Sequence, residues 1–174
     1  MIFSVMSYGQ ETTYPDPDGF GNWKGQLVDN THQGKWTRFY PTGEKYVVLN
    51  YVDNKVNGKS TAYYKSGKVK STCFFQMGVI NGLQTLFDSN GVITSSTEYL
   101  NGNYHGMIII YKNGKKKSER EYKEGMANGV AKDYNDKGNL ILEFRIEDKQ
   151  VKNIRCWDDN GTKLSDCAGF GLSY

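Results

Sequence analysis

Few residues in this sequence carry chemistry, and they lie far apart. Only two histidines occur, His32 and His105. Neither has a second metal ligand or a nucleophile near it in the chain, so spacing assembles neither a zinc-type cluster nor a Ser-His-Asp set. His105 stands just before Gly106, where matching stretches place Asn57, Asn81 and Asn128, which reads as a turn or edge role and not proton transfer. Glu98, Glu119, Glu121 and Glu143 sit among polar neighbours in strand-like stretches, so solvated sheet surface is expected. The glycines lead into strands, whereas a phosphate-cradling loop opens a helix. Asp16, Asp18 and Gly19 begin like a calcium loop, but the remaining ligand positions are missing. The expectation is therefore no enzyme, no cofactor and no metal.

Cys156 and Cys167 flank a "DDNG" turn, and in an oxidising compartment a bridge between them would clamp the end of the chain. A three-residue hairpin loop would put the two on opposite strand faces, so the bridge requires a shifted register or a bulge. Cys73 is expected to be a small buried thiol.

The elements that position these residues follow from composition and periodicity. The chain has 174 residues, with 20 Gly and 13 Tyr against 3 Pro, a balance that favours a turn-rich β protein with a real core. A net charge of +3 from 22 basic and 19 acidic residues is too weak and mixed to imply a nucleic-acid partner. The Lys115, Lys116, Lys117 run is followed at once by Glu119 and Glu121, as on a solvated hairpin face. No stretch reaches the length of a membrane-spanning helix.

The opening "MIFSVMSYGQ" reads as a leader remnant whose cleavage would leave Gln10 first, which implies a periplasmic or secreted protein. The alternative is an ordinary strand packing Ile2, Phe3 and Val5 on the domain, which implies a cytoplasmic one. Residues 11–22, "ETTYPDPDGFGN", look like an extended arm. Residues 1–24 are thus leader remnant and arm, and 25–174 the folded domain.

That domain is a repeat. Gly34, Gly58, Gly82, Gly106 and Gly129 stand 24, 24, 24 and 23 residues apart, and a second row runs Gly43, Gly67, Gly91, Gly114, Gly138 and Gly161. An aromatic follows each first-row glycine by five residues: Phe39, Tyr63, Phe87, Tyr111 and Tyr134. A third row reads Tyr51, Phe75, Tyr99, Tyr122 and then Ile146. The repeats span 34–57, 58–81, 82–105, 106–128 and 129–152, with a degenerate cap over 153–174 in which Asn153 replaces the expected glycine.

Each repeat holds two β-rich runs and two turns. One turn closes the hairpin inside the repeat, as in "YKSG" or "DSNG", a type I turn ending on a left-handed glycine. The other passes the chain to the next repeat, as Asn101-Gly102 does. Three-residue and two-residue loops both preserve pairing parity, so the second and third aromatic rows are expected on one face. First-row glycines would sit bare within strands and receive neighbouring rings.

The repeats resemble the MORN family, and more closely its bacterial variant, whose units look like G-x4-aromatic-x-x-N-G-x7-aromatic-x-x-G-x3-G. The likeness covers roughly residues 25–170. It departs from the eukaryotic form in its Tyr, Gly and Trp arrangement. "IEDKQVKN" in the fifth repeat and the Gly-rich tail of the sixth mark a terminal cap, since end repeats of stacked arrays deviate. The resemblance implies an all-β fold, an elongated antiparallel meander of hairpins in a single twisted sheet with about 10–13 strands. In bacteria it also implies antitoxin-like proteins.

A one-layer sheet wets both faces, and the face opposite the aromatic rows carries Trp36, Arg38, Tyr40, Ala62, Tyr64, Phe74, Leu86, Ile108 and Ile110. It is a candidate docking surface for a partner protein, with the alternative that the N-terminal arm covers it as core. The functional expectation is a protein-binding module, an antitoxin or immunity protein holding a toxin. The second expectation is an envelope scaffold that binds lipid or glycan through ring rows.

Overall fold

The computed structural model describes residues 10–15 and 17–170. The two readings of residues 1–9, leader remnant or packed strand, and the role of Asp16 lie outside them. The chain divides into two compact units that meet between Ile80 and Asn81 in the sequence, and each is described by itself.

The first unit holds β1 (Gln10–Pro15), β2 (Asn22–Val28), β3 (Thr31–Phe39), β4 (Lys45–Val52), β5 (Lys55–Val56), β6 (Gly58–Tyr63), β7 (Val69–Gln76) and β8 (Val79–Ile80). They pair antiparallel in the order β1-β2-β3-β4-β6-β7, with β5 on β4 and β8 on β7. The second unit holds β9 (Gly82–Phe87), β10 (Ile93–Leu100), β11 (Asn103–Lys112), β12 (Lys115–Lys123), β13 (Met126–Tyr134), β14 (Leu140–Glu147) and β15 (Gln150–Cys156), each paired antiparallel with the next. The architecture is an all-β antiparallel meander, and no helix occurs among the described residues. The fifteen strands among the described residues exceed the expected number, because the arm supplies β1 and because breaks just before Gly58 and Gly82 split two strands, into β5 and β6 and into β8 and β9.

The turns follow local chemistry. Five internal hairpins close on three-residue loops, as where Tyr40 N–H donates to the Glu44 carbonyl and Gly43 N–H to the Tyr40 carbonyl. Gly43 there has φ +98°, the left-handed region that glycine enters without a Cβ clash. The fourth repeat uses the two-residue turn Asn113-Gly114, with φ 52° and 74°. Two-residue turns with both φ positive also pass the chain between repeats, at Asp53-Asn54, Asn101-Gly102 and Asp148-Lys149 among others.

Parity is where the structure departs from expectation. Arg38 pairs with Val47 but Phe39 pairs with Lys45, so Tyr46 is an extra residue, a β-bulge. The same bulge recurs at Lys70, Thr94, Lys117 and Ile141. One added residue flips every later side chain to the other face. Tyr51 consequently shares its face with Gly34 and Trp36, opposite Phe39, and the two aromatic rows do not lie together.

First-row glycines are bulges too. Thr97 faces Ile108 while Tyr99 faces Tyr104, which leaves His105 and Gly106 to absorb the slip, with Gly106 at φ +79°. In the last such place Asn153 takes φ +56°, and Asn is among the few side chains that tolerate it. No ring lies within 4 Å of where a Cβ would stand on Gly34 or Gly58, and carboxylates are the nearest neighbours of that place on Gly106 and Gly129. Glu98 lies over Gly106 and Glu121 over Gly129, and Glu121 accepts the Val130 N–H at 2.9 Å.

The core of the second unit is Ala131, Leu142, Phe144, Ile146 and Cys156, flanked by Ala127, Val151, Cys167 and Phe170. Cys156 and Cys167 are joined as a disulfide. The three-residue loop after Asp158 is present, yet regular pairing stops at the Trp157–Lys163 bridge and the Leu164 N–H bond to the Cys156 carbonyl. Strand alternation therefore no longer governs where Cys167 points. Cys73 is half-buried and free.

Candidate binding groove

In the first unit β3 places Trp36 beside β2: Lys24 pairs with Thr37 and Gln26 with Gln33, so Gly25 alone faces the bulged residues Gly34, Lys35 and Trp36 of β3. A Cβ on Gly25 would overlap the indole, so here one ring does lie on bare glycine backbone. Three more rings close on it. Tyr14 of β1 stacks at 6.0 Å and 19°, His32 lies at 4.3 Å and Tyr51 of β4 meets it edge-on at 6.2 Å. Trp36 is 1% exposed, and its Nε1 is buried without an acceptor. That omission costs about 1–3 kcal/mol, which ring packing offsets.

His32 is held by the turn between β4 and β5. Asn54 Oδ1 accepts both the His32 backbone N–H at 2.7 Å and the ring Nδ1 at 2.8 Å. An amide oxygen only accepts, so Nδ1 carries the proton and Nε2 of the neutral ring remains an acceptor. Burial pushes the Tyr51 hydroxyl above its ordinary range, further from the neutral pH at which a phenol is already a protonated donor.

These rings line an open groove of about 490 Å³ together with Trp23, Leu27, Pro15, Pro17 and Asn30. Among the described residues no Lys, Arg, Asp or Glu lines it. Beside it lies a second ring cluster. The Arg38 guanidinium sits 4.7 Å from the Phe20 ring and 5.5 Å from Trp23 and from Tyr46, and Tyr40 packs on Tyr46 at 5.1 Å. The Tyr40 hydroxyl donates to the Tyr63 carbonyl at 2.9 Å. Its pKa is raised, first by burial and then by Tyr46.

The residues expected to form one docking stripe are therefore dispersed. Trp36 is interior, and Arg38 and Tyr40 are half-buried beside Phe20 of the arm. Tyr64 is half-buried at a hairpin loop, with Lys70 Nζ 5.8 Å from its ring. Phe74 pairs with Lys59 and so faces away from Ser60, the counterpart of Trp36; the bulge at Lys70 caused that misplacement. In the second unit Leu86 and Ile110 are exposed on one face through Ser95, and Ile108 is half-buried. Tyr14, Trp23, His32 and Tyr51 escaped the sequence reading. Gly25, lying outside both glycine rows, was the signal that a bulky neighbour needed the space.

A family model described as MORN repeat variant matches residues 33–53 and 56–77. These two segments are similar to MORN repeats. They correspond to the hairpin β3–β4 with the start of its outgoing turn, and to β5, β6 and β7. MORN repeats are in general protein- or membrane-binding modules and not catalysts. No curated protein matches the chain.

Proposed function

We propose that this protein is a non-enzymatic protein-binding module whose contact element is the ring-lined groove formed by β1, β2 and the first MORN-like repeat. The observation that supports it is the gathering of Tyr14, Trp23, Tyr51 and His32 in one open groove that no Lys, Arg, Asp or Glu lines among the described residues. Tyr and Trp supply large contact area at low entropy cost, and strand-borne rings are held more firmly than loop-borne ones. The finer reading is an antitoxin or immunity protein whose partner is a toxin, acting in the periplasm or outside the cell.

Pull-down with the products of the neighbouring reading frames tests this. Wild-type protein is expected to retain one defined partner, and Tyr51→Ala and Trp23→Ala to lose it while staying folded. A retained partner that is a toxin carries the finer reading. Retention on liposomes or on a glycan array, with no protein retained, would replace it with the lipid or glycan scaffold.

A further inference from the structure

Resting on the protein-binding reading above, we infer that the groove takes a proline-rich segment of the partner in the polyproline II conformation. Charge decides the first step. Among the described residues no Lys, Arg, Asp or Glu lines the groove, and the Arg38 guanidinium beside it is held among the Phe20, Trp23 and Tyr46 rings, so a phosphorylated or strongly acidic segment would bury charge without a counter-ion in the groove.

Polarity decides the second. Apart from ring hydroxyls and N–H groups, Asn30 is the only polar side chain of the lining among the described residues. A saccharide can stack its C–H face on these rings but is oriented by side chains that bond its outward hydroxyls, and besides the rings the described lining offers only Asn30 for that. A polyproline II strand has no internal hydrogen bonds and keeps its backbone hydrated on the outer side, while it presents apolar pyrrolidine rings to the groove.

The donors agree with that choice. Proline residues supply carbonyls but no N–H, and the groove supplies the Tyr51 hydroxyl and the Trp23 indole N–H. The protein already uses the same surfaces: Pro15 and Pro17 of its own arm complete the groove wall beside Tyr14 and Trp23. Tyr14 and Trp23 are register partners on neighbouring strands, so their rings form adjacent ridges. Aromatic ridges of this kind are the general surface for Pro-rich ligands, whose conformation is set before binding.

The test uses the full chain and a synthetic polyproline peptide of about ten residues, with a Gly/Ser peptide of equal length as control, followed by tryptophan fluorescence and by amide shifts. Saturable binding of the polyproline peptide alone is expected, weakened about tenfold or more by Tyr51→Ala and by Tyr14→Ala. Trp23→Phe keeps a ring and should weaken it less. Each variant is first checked for an unchanged urea midpoint, and Tyr51→Phe replaces any that fails. Absence of polyproline binding, equal binding of the Gly/Ser peptide, or binding indifferent to both ring variants overturns the inference. If a protein partner is still lost with Tyr51→Ala while polyproline does not bind, only the ligand class falls. If no protein partner depends on the groove, the reading beneath it falls.

Discussion

Trp36 and Gly25 form a packing pair whose energetics can be worked from their geometry. Gly25 is buried and its backbone is not left-handed, so alanine there costs only what the indole cannot yield. Trp36 is held by Tyr14, His32 and Tyr51 at 4.3–6.2 Å between ring centroids, so it yields little, and Gly25→Ala is expected to cost about 1–3 kcal/mol by overpacking. Trp36→Ala should cost about 3–5 kcal/mol, toward the lower end because the N–H without an acceptor leaves with the ring. With the indole gone, the same Gly25→Ala meets open space and gains up to about 0.5–1 kcal/mol from a stiffer unfolded chain. The double-mutant cycle then shows a favourable coupling of about 1–4 kcal/mol. Equilibrium urea unfolding of the four proteins, followed by far-ultraviolet circular dichroism with the disulfide intact, measures it. Additivity within about 0.5 kcal/mol would refute the ring-on-glycine contact. A Trp36→Ala loss below about 1 kcal/mol would instead return Trp36 to the surface, since large losses come from buried sites.

Three further outcomes are expected. Glu121→Ala should lose about 1–2 kcal/mol in urea unfolding, because the carboxylate accepts the Val130 N–H beside the Gly129 bulge; a change indistinguishable from zero would mean the carboxylate contributes nothing there. Cys167→Ser opens a bridge with a sequence separation of 11 and should lower stability by about 2–3 kcal/mol, read as a lower midpoint that reductant reproduces in the wild type and does not move further in the variant. The thiol of Cys73 is pushed above its usual range, first by burial, with the Ser60 hydrogen bond opposing. In the unreduced protein iodoacetamide should therefore modify a single cysteine slowly at neutral pH, and faster as pH climbs past that raised pKa. Labelling as fast as an unstructured thiol at neutral pH would contradict the burial.

The glycine rows and Asn-Gly pairs were enough to read the hairpins. A left-handed turn residue is a local requirement, met or missed within four residues of chain, and Gly43, Asn113-Gly114 and Asn101-Gly102 behave as read. The faces were not legible. The bulges at Tyr46, Lys70, Thr94, Lys117 and Ile141 follow no single residue type, yet each one inverts the alternation on which the inside-outside assignment of Tyr51, Phe74 and the stripe depended. The groove was missed for the same reason, with one addition: Tyr14 lies in an arm that composition marked only as extended.

What the sequence determined by itself is thus the class of fold: antiparallel hairpins at a beat of about two dozen residues, because turn chemistry and strand propensity act over a few neighbours. Only the tertiary structure decided which side of the sheet each ring occupies, that Trp36 is core, that carboxylates and not rings cover Gly106 and Gly129, and that the last strand ends early enough for Cys167 to reach Cys156. Register is the physical reason. A one-residue slip costs little locally but reverses every side chain beyond it, and it is chosen by the total burial of all the strands it moves.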